Sequence, residues 1–213
     1  MTTRLLLVRH AQTDWNADGR FMGQKDIELS VLGLRQAEAV GRRLARERPQ
    51  AIYASDLKRA WQTAEQIHRA IAESCAPDPP PPLLPEPAWR EMSFGAWEGL
   101  NYQQITTEHP EALKAWETDY LYYAPPGGEN VAQMLERIFS AHAQIVERHP
   151  EASVILVAHG GTLQALLAHL LGLPIDRMWQ IHMSNTGVSE VDLHPAGAVL
   201  NLFNGTCHLE GVR

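Results

Sequence analysis

The chain has 213 residues, a net charge of -7 and 45% hydrophobic residues, enough for one sizeable core and too acidic for a general polyanion binder, which needs a basic face. Cys75 and Cys207 show no Cys-x-x-Cys or metal-ligand spacing, and no apolar run is long enough for a signal peptide or a membrane span. A cytoplasmic protein with reduced thiols, no nucleic-acid partner and no membrane partner is expected, so an anionic substrate must be held by a few local cations.

Leu5 to Val8 is a continuous aliphatic run, the pattern of a strand buried on both faces, and it stops at Arg9-His10. Residues 11 to 30 lack periodicity and read as a long loop, a length that in compact domains is usually functional. Ser30 caps a helix in which Leu34, Ala37, Val40, Gly41 and Leu44 keep helical spacing up to Pro49. Residues 51–55 form a second short strand, followed at once by a helix over about 57–72. The proline-dense segment 77–87 runs extended over the surface, and 99–123 reads as two short helices of a lid or subdomain at about 77–126.

The turn 125–129 starts a further amphipathic helix up to Pro150. Val154 to Val157 is the most apolar strand, ending in His159-Gly160-Gly161 before a leucine-rich helix over 162–171. The tail alternates like a hairpin, with its turn around 195–197. Strands alternating with helices predict an α/β fold, a three-layer α/β/α sandwich with a mostly parallel central sheet, built as one domain over 1–213. In such a sheet the C-terminal strand ends share one crevice, so His10 and His159 can meet there. Gly160 and Gly161 open a helix N-terminus to an anion, and Arg59 comes from the same edge.

The ordered blocks Leu7-Val8-Arg9-His10 with Asn16, Ser55-Asp56-Leu57-Lys58-Arg59-Ala60 with Thr63, Glu91 in 90–99, Pro126-Gly127-Gly128-Glu129 and Val157-Ala158-His159-Gly160-Gly161 resemble the histidine phosphatase superfamily, of phosphoglycerate-mutase-like fold, over nearly the whole length. The resemblance implies that His10 attacks phosphorus as a neutral imidazole to give a phosphohistidine. Arg9 and Arg59 then spread positive charge over the phosphoryl oxygens, and His159, protonated beside the dianion, adds a donor. Glu91 acts as general acid and then as base, for which it must start protonated. Asn16, Gln24, Thr13, Gly160 and Gly161 are the further phosphate- or substrate-binding candidates. No cofactor and no metal are implied, and the chain is expected to be a monomer or homodimer.

The mutase branch carries cations for a substrate carboxylate that are here Met92, Tyr102 and Glu117-Thr118. Without them a phosphoryl group on His10 goes to water, which favours the phosphatase branch, of α-ribazole-5'-phosphate and broad-specificity types. A phosphoglycerate mutase and a non-catalytic phospholigand-binding module are the alternatives. Ala11 stands where the family usually has Gly and is expected to narrow the floor of the site. The aromatics Trp97, Tyr102, Trp116 and Tyr120 to Tyr123 are candidates for stacking on a base-like substrate.

Overall fold

The computed structural model describes residues 2–212. A six-stranded sheet in the order β3-β2-β4-β1-β5-β6 organises them, formed by β1 (Thr3–Arg9), β2 (Ala51–Ala54), β3 (Leu83–Pro85), β4 (Ser153–Ala158), β5 (Val188–His194) and β6 (Gly197–Gly205). The first four strands in that order run parallel, and β5 and β6 close the sheet antiparallel. The α-helices are α1 (Asp14–Ala17), α2 (Val31–Leu44), α3 (Lys58–Cys75), α4 (Tyr102–Glu108), α5 (Pro110–Thr118), α6 (Val131–Arg148) and α7 (Gly160–Leu170).

The continuous apolar run of β1 has a direct physical cause. Leu5 and Leu7 join one core cluster with α6 and α7, whereas Leu6 and Val8 join the other with α2 and α3. Each such side chain taken fully out of water contributes roughly 1.5–3 kcal/mol, so polar substitutions are costly on either face. The sheet is thus sandwiched between two helical layers. α2 starts where its sequence predicts, with the Ser30 hydroxyl accepting from the Gly33 amide at 3.0 Å.

Three elements differ from expectation. The proline-dense segment contributes β3, which pairs in parallel with β2; proline tolerates a sheet edge because it lacks only a donor that an edge leaves unused. The long first loop contains the short helix α1, capped reciprocally by Thr13 and Asn16. α7 begins at Gly160, directly after β4, which brings its free amides to the strand end. Among the described residues no helix is long and apolar enough to cross a membrane.

Candidate active site

Because β1 and β4 pair in register from Arg4 with Ser153 to Arg9 with Ala158, His10 and His159 leave the sheet side by side. Their ring centroids lie 5.1 Å apart at 57°, and both rings are buried, His10 at 1% and His159 at 0% exposure. His10 Nδ1 lies 2.7 Å from the Ala11 carbonyl oxygen. A carbonyl can only accept, so Nδ1 carries the proton and Nε2 keeps its lone pair. Burial first, then Arg59 and Arg9, pushes the His10 pKa well below the ordinary histidine value, against a smaller opposing effect of the Ala11 hydrogen bond. The Ala11 methyl does not narrow the site floor: it packs with Leu29 and Ala37.

Arg9 is fastened by one nitrogen, Nη1, to the Met183 carbonyl at 2.6 Å, and its buried Nε has no hydrogen-bond partner. A buried guanidinium N–H without an acceptor is costly unless an anion meets it. Arg59 is fully buried and donates through Nη2 to Gly23 O at 2.7 Å, Nη1 to Lys25 O at 2.8 Å, and Nε to His159 Nδ1 at 3.2 Å. Burial lowers its pKa to about 10, so the group is still a cation at neutral pH.

The Arg59 contact corrects the expectation of a protonated His159. A ring nitrogen that accepts from a guanidinium holds no proton, so Nδ1 is bare and Nε2–H donates to the Ser55 hydroxyl at 2.8 Å. Burial, followed by Arg59, His10 and Arg9, drives the His159 pKa well below the usual value. His159 is therefore a neutral link that orients Arg59.

Glu91 reaches the start of α7. Its Oε2 accepts from the Gly161 amide at 3.0 Å and its Oε1 from the Met92 amide at 2.9 Å. Gly161 is glycine for a spatial reason, since a Cβ there would lie 2.6 Å from Glu91 Oε1. Gly160 is less constrained, with a Cβ 3.6 Å from Arg9 Nε.

The expected binders in the first loop divide. Arg9, Glu91, Asn16 and Gly23 line a cavity of about 230 Å³. Asn16 uses its Oδ1 to accept from the Thr13 amide and hydroxyl at 3.0 and 3.2 Å. Thr13 is fully buried in that cap, with its hydroxyl 3.1 Å from Met22 Sδ. Gln24 donates its side-chain amide to the Glu91 carbonyl at 3.1 Å. Thr13 is thus committed to bracing the loop, and Gln24 commits one of its two side-chain N–H groups to the same end. Asn185, which the sequence did not single out, donates to the His10 carbonyl at 2.9 Å.

The aromatic residues are rearranged too. Trp97 is core, and Trp116 packs on it and on Tyr120 and Trp179. The rings that line the cavity are Phe21 and Phe94, edge to face at 5.0 Å. Of the positions where the resemblance leads one to look for mutase cations, Met92 is fully buried and Tyr102 donates to Glu117 at 2.6 Å. Arg20 lines the cavity, tied to Asp18 at 3.1 Å and the Gly99 carbonyl at 2.8 Å. Among the described residues no cluster of three His, Cys, Asp or Glu side chains could hold a metal ion.

Residues 5–206 match the histidine phosphatase superfamily (branch 1). The metal-independent phosphoserine phosphatase of Arabidopsis thaliana is 34% identical over 212 residues, 99% of this chain and 84% of that protein. The glucosyl-3-phosphoglycerate phosphatase of Mycobacterium tuberculosis is 38% identical over 180 residues, 81% of this chain and 77% of that protein. The crystal structure of the alpha-ribazole phosphatase from Shigella flexneri superposes with a TM-score of 0.84 at 28% identity, covering 95% of this chain and 96% of the other. With a neutral buried histidine, a buried and a half-buried arginine and a carboxylate brought together at the C-terminal strand ends, and with that match over nearly its whole length, the chain belongs to the histidine phosphatase superfamily, branch 1.

Proposed function

We propose that the protein hydrolyses small phosphomonoesters through a phosphohistidine on His10. The observation that carries this reading is the fixed tautomer: Nδ1–H is committed to the Ala11 carbonyl, which leaves Nε2 with its lone pair on a ring that the charges of Arg59 and Arg9 help to keep neutral. In the first step Nε2 bonds to phosphorus and the ester P–O bond breaks, while Glu91 gives its proton to the departing alkoxide. Arg9 and Arg59 stabilise the charge on the phosphoryl oxygens, and the partnerless Arg9 Nε supplies one such donor. In the second step Glu91 takes a proton from water, whose oxygen attacks phosphorus; the N–P bond breaks, and neutral His10 and inorganic phosphate are released. The chain's own residues supply every proton transfer in this scheme, so no cofactor is required.

Hydrolysis is favoured over mutase transfer because Met92 is core and Tyr102 and Glu117 satisfy each other, so these positions offer a substrate carboxylate no cation. The Phe21 and Phe94 rings favour a leaving group with an apolar face. α-Ribazole 5'-phosphate fits that description and is one member of the panel to test. Acid-labile phosphoenzyme should accumulate from a phosphomonoester panel with the native protein and be absent in His10→Ala. Label in the variant at the native level would refute the nucleophile, isomerisation of phosphoglycerate without phosphate release would favour the mutase, and inertness on the whole panel would favour a non-catalytic binding module.

A further inference from the structure

The Pro125–Glu129 turn and the α6 residue Arg137 take no part in the chemistry above, yet they make the densest polar network next to it. Arg137 donates through Nη1 to the carbonyls of Ala88 at 2.6 Å and Arg90 at 2.7 Å, and through Nη2 to the carbonyl of Glu91 at 3.1 Å. Its remaining N–H groups go to Glu129, Nη2 to Oε1 at 2.5 Å and Nε to Oε2 at 3.2 Å. All five guanidinium protons are therefore used, three of them on the backbone that ends in Glu91. Glu129 closes the other side, for its Oε1 accepts from the Ser93 amide at 2.9 Å while its own amide donates to the Ser93 carbonyl at 2.9 Å. The turns fit with no spare volume: a Cβ on Gly95 would lie 2.2 Å from Pro126 O, and one on Gly128 2.4 Å from Ser93 O.

We infer that Arg137, clamped by Glu129, is a positioning residue for the acid–base step, fixing the backbone on both sides of Glu91 so that its carboxylate meets the Gly161 amide beside the Arg9 cavity. This rests on Glu91 being the acid of the proposed mechanism. A planar fork can hold three carbonyls and a carboxylate at once; an ammonium cannot.

The test uses the leaving group. kcat/KM reports the steps through departure of the first alcohol, and 4-nitrophenolate leaves without a proton whereas an alkoxide needs one. For Arg137→Met, kcat/KM on an alkyl phosphomonoester such as O-phosphoserine should fall about 100-fold relative to wild type, the scale of a misplaced catalytic group. On 4-nitrophenyl phosphate the fall should stay within about threefold, as expected where the acid contributes little. Arg137→Lys should recover part of the difference, and Glu129→Gln should show the same pattern in weaker form. The ratio of the two kcat/KM values does not depend on the active fraction, so a variant that folds poorly still reports. Equal losses on both substrates, or no loss on either, would overturn the inference. Glu91→Gln is the control: if it too lacks the leaving-group difference, the acid assignment itself is at fault and the positioning role falls with it.

Discussion

Gly161 separates fold from chemistry more cleanly than any charged residue of the site. A Cβ there meets the far end of the Glu91 side chain at 2.6 Å and no backbone atom within that distance, so Gly161→Ala moves the carboxylate and leaves α7 intact. Alanine also favours the helix by about 0.8–1 kcal/mol over glycine. The expected outcome is an unchanged or slightly raised melting temperature together with a loss of about 100-fold in kcat/KM on alkyl phosphates. Wild-type kinetics in this variant would show that Glu91 need not sit at the α7 N-terminus. At the same scale, the His159 network sets the limits of side-chain inference: the sequence identifies the residue, but its protonation depends on Ser55, just past the end of β2, and on Arg59 of α3.

Between elements, the first loop is tied to the segment after Glu91 by one carboxylate. Glu98 Oε1 accepts from the Gln24 amide at 2.9 Å and the Phe94 amide at 3.1 Å, and Gly23 adopts φ +52 where any Cβ would strike that oxygen. The same loop supplies the Gly23 and Lys25 carbonyls that hold Arg59. Glu98→Ala should therefore destabilise the protein by about 2 kcal/mol, the scale of lost hydrogen bonds to a charged group, measurable as a lower urea midpoint. It should also weaken kcat/KM roughly tenfold, mainly through KM, since Arg59 loses its frame while Glu91 keeps its own. A rise in KM without loss of stability, or the reverse, would separate the two roles assigned to the loop. Strands and their terminal charges are legible in sequence because burial on two faces leaves a continuous apolar run, as in β1. The loop polar groups are not, because a Gln24 that donates to a carbonyl and one that donates to a ligand have the same sequence appearance. Arg137 is hidden for a related reason: on an amphipathic helix a lone arginine looks like part of the solvated face, and only packing reveals the carbonyls it gathers.

On the scale of the whole molecule, the buried imidazoles make folding depend on pH. His10 and His159 have pKa values driven well below the ordinary value of 6.5 by burial and neighbouring arginines. His142, by burial and then His169, and His208, by burial and then Arg43, are both lowered to about 4. For a histidine whose folded pKa is depressed, the unfolded chain binds the extra proton, so the stabilising contribution is complete above the unfolded pKa near 6.5 and is lost as pH falls below it. The loss accrues at ~1.4 kcal/mol per pH unit for each additional proton taken up on unfolding, and it is smaller for the partly exposed His142 and His208. The urea midpoint should hold steady between pH 8 and 7 and then decline progressively from pH 6.5 towards 4.5. A second decline follows at lower pH, where Asp56 and Glu190, held below their usual values of 3.8 and 4.5 by hydrogen bonds to Arg90 and Arg4, take up protons. His208→Asn, which removes the titrating ring held between Arg43 and Thr186, should reduce the slope between pH 6.5 and 4.5 while leaving the low-pH decline in place. A midpoint that stays flat to pH 5 in the native protein would mean that these imidazoles protonate in the folded state, and the neutral His10 required for attack would then be lost over the same range.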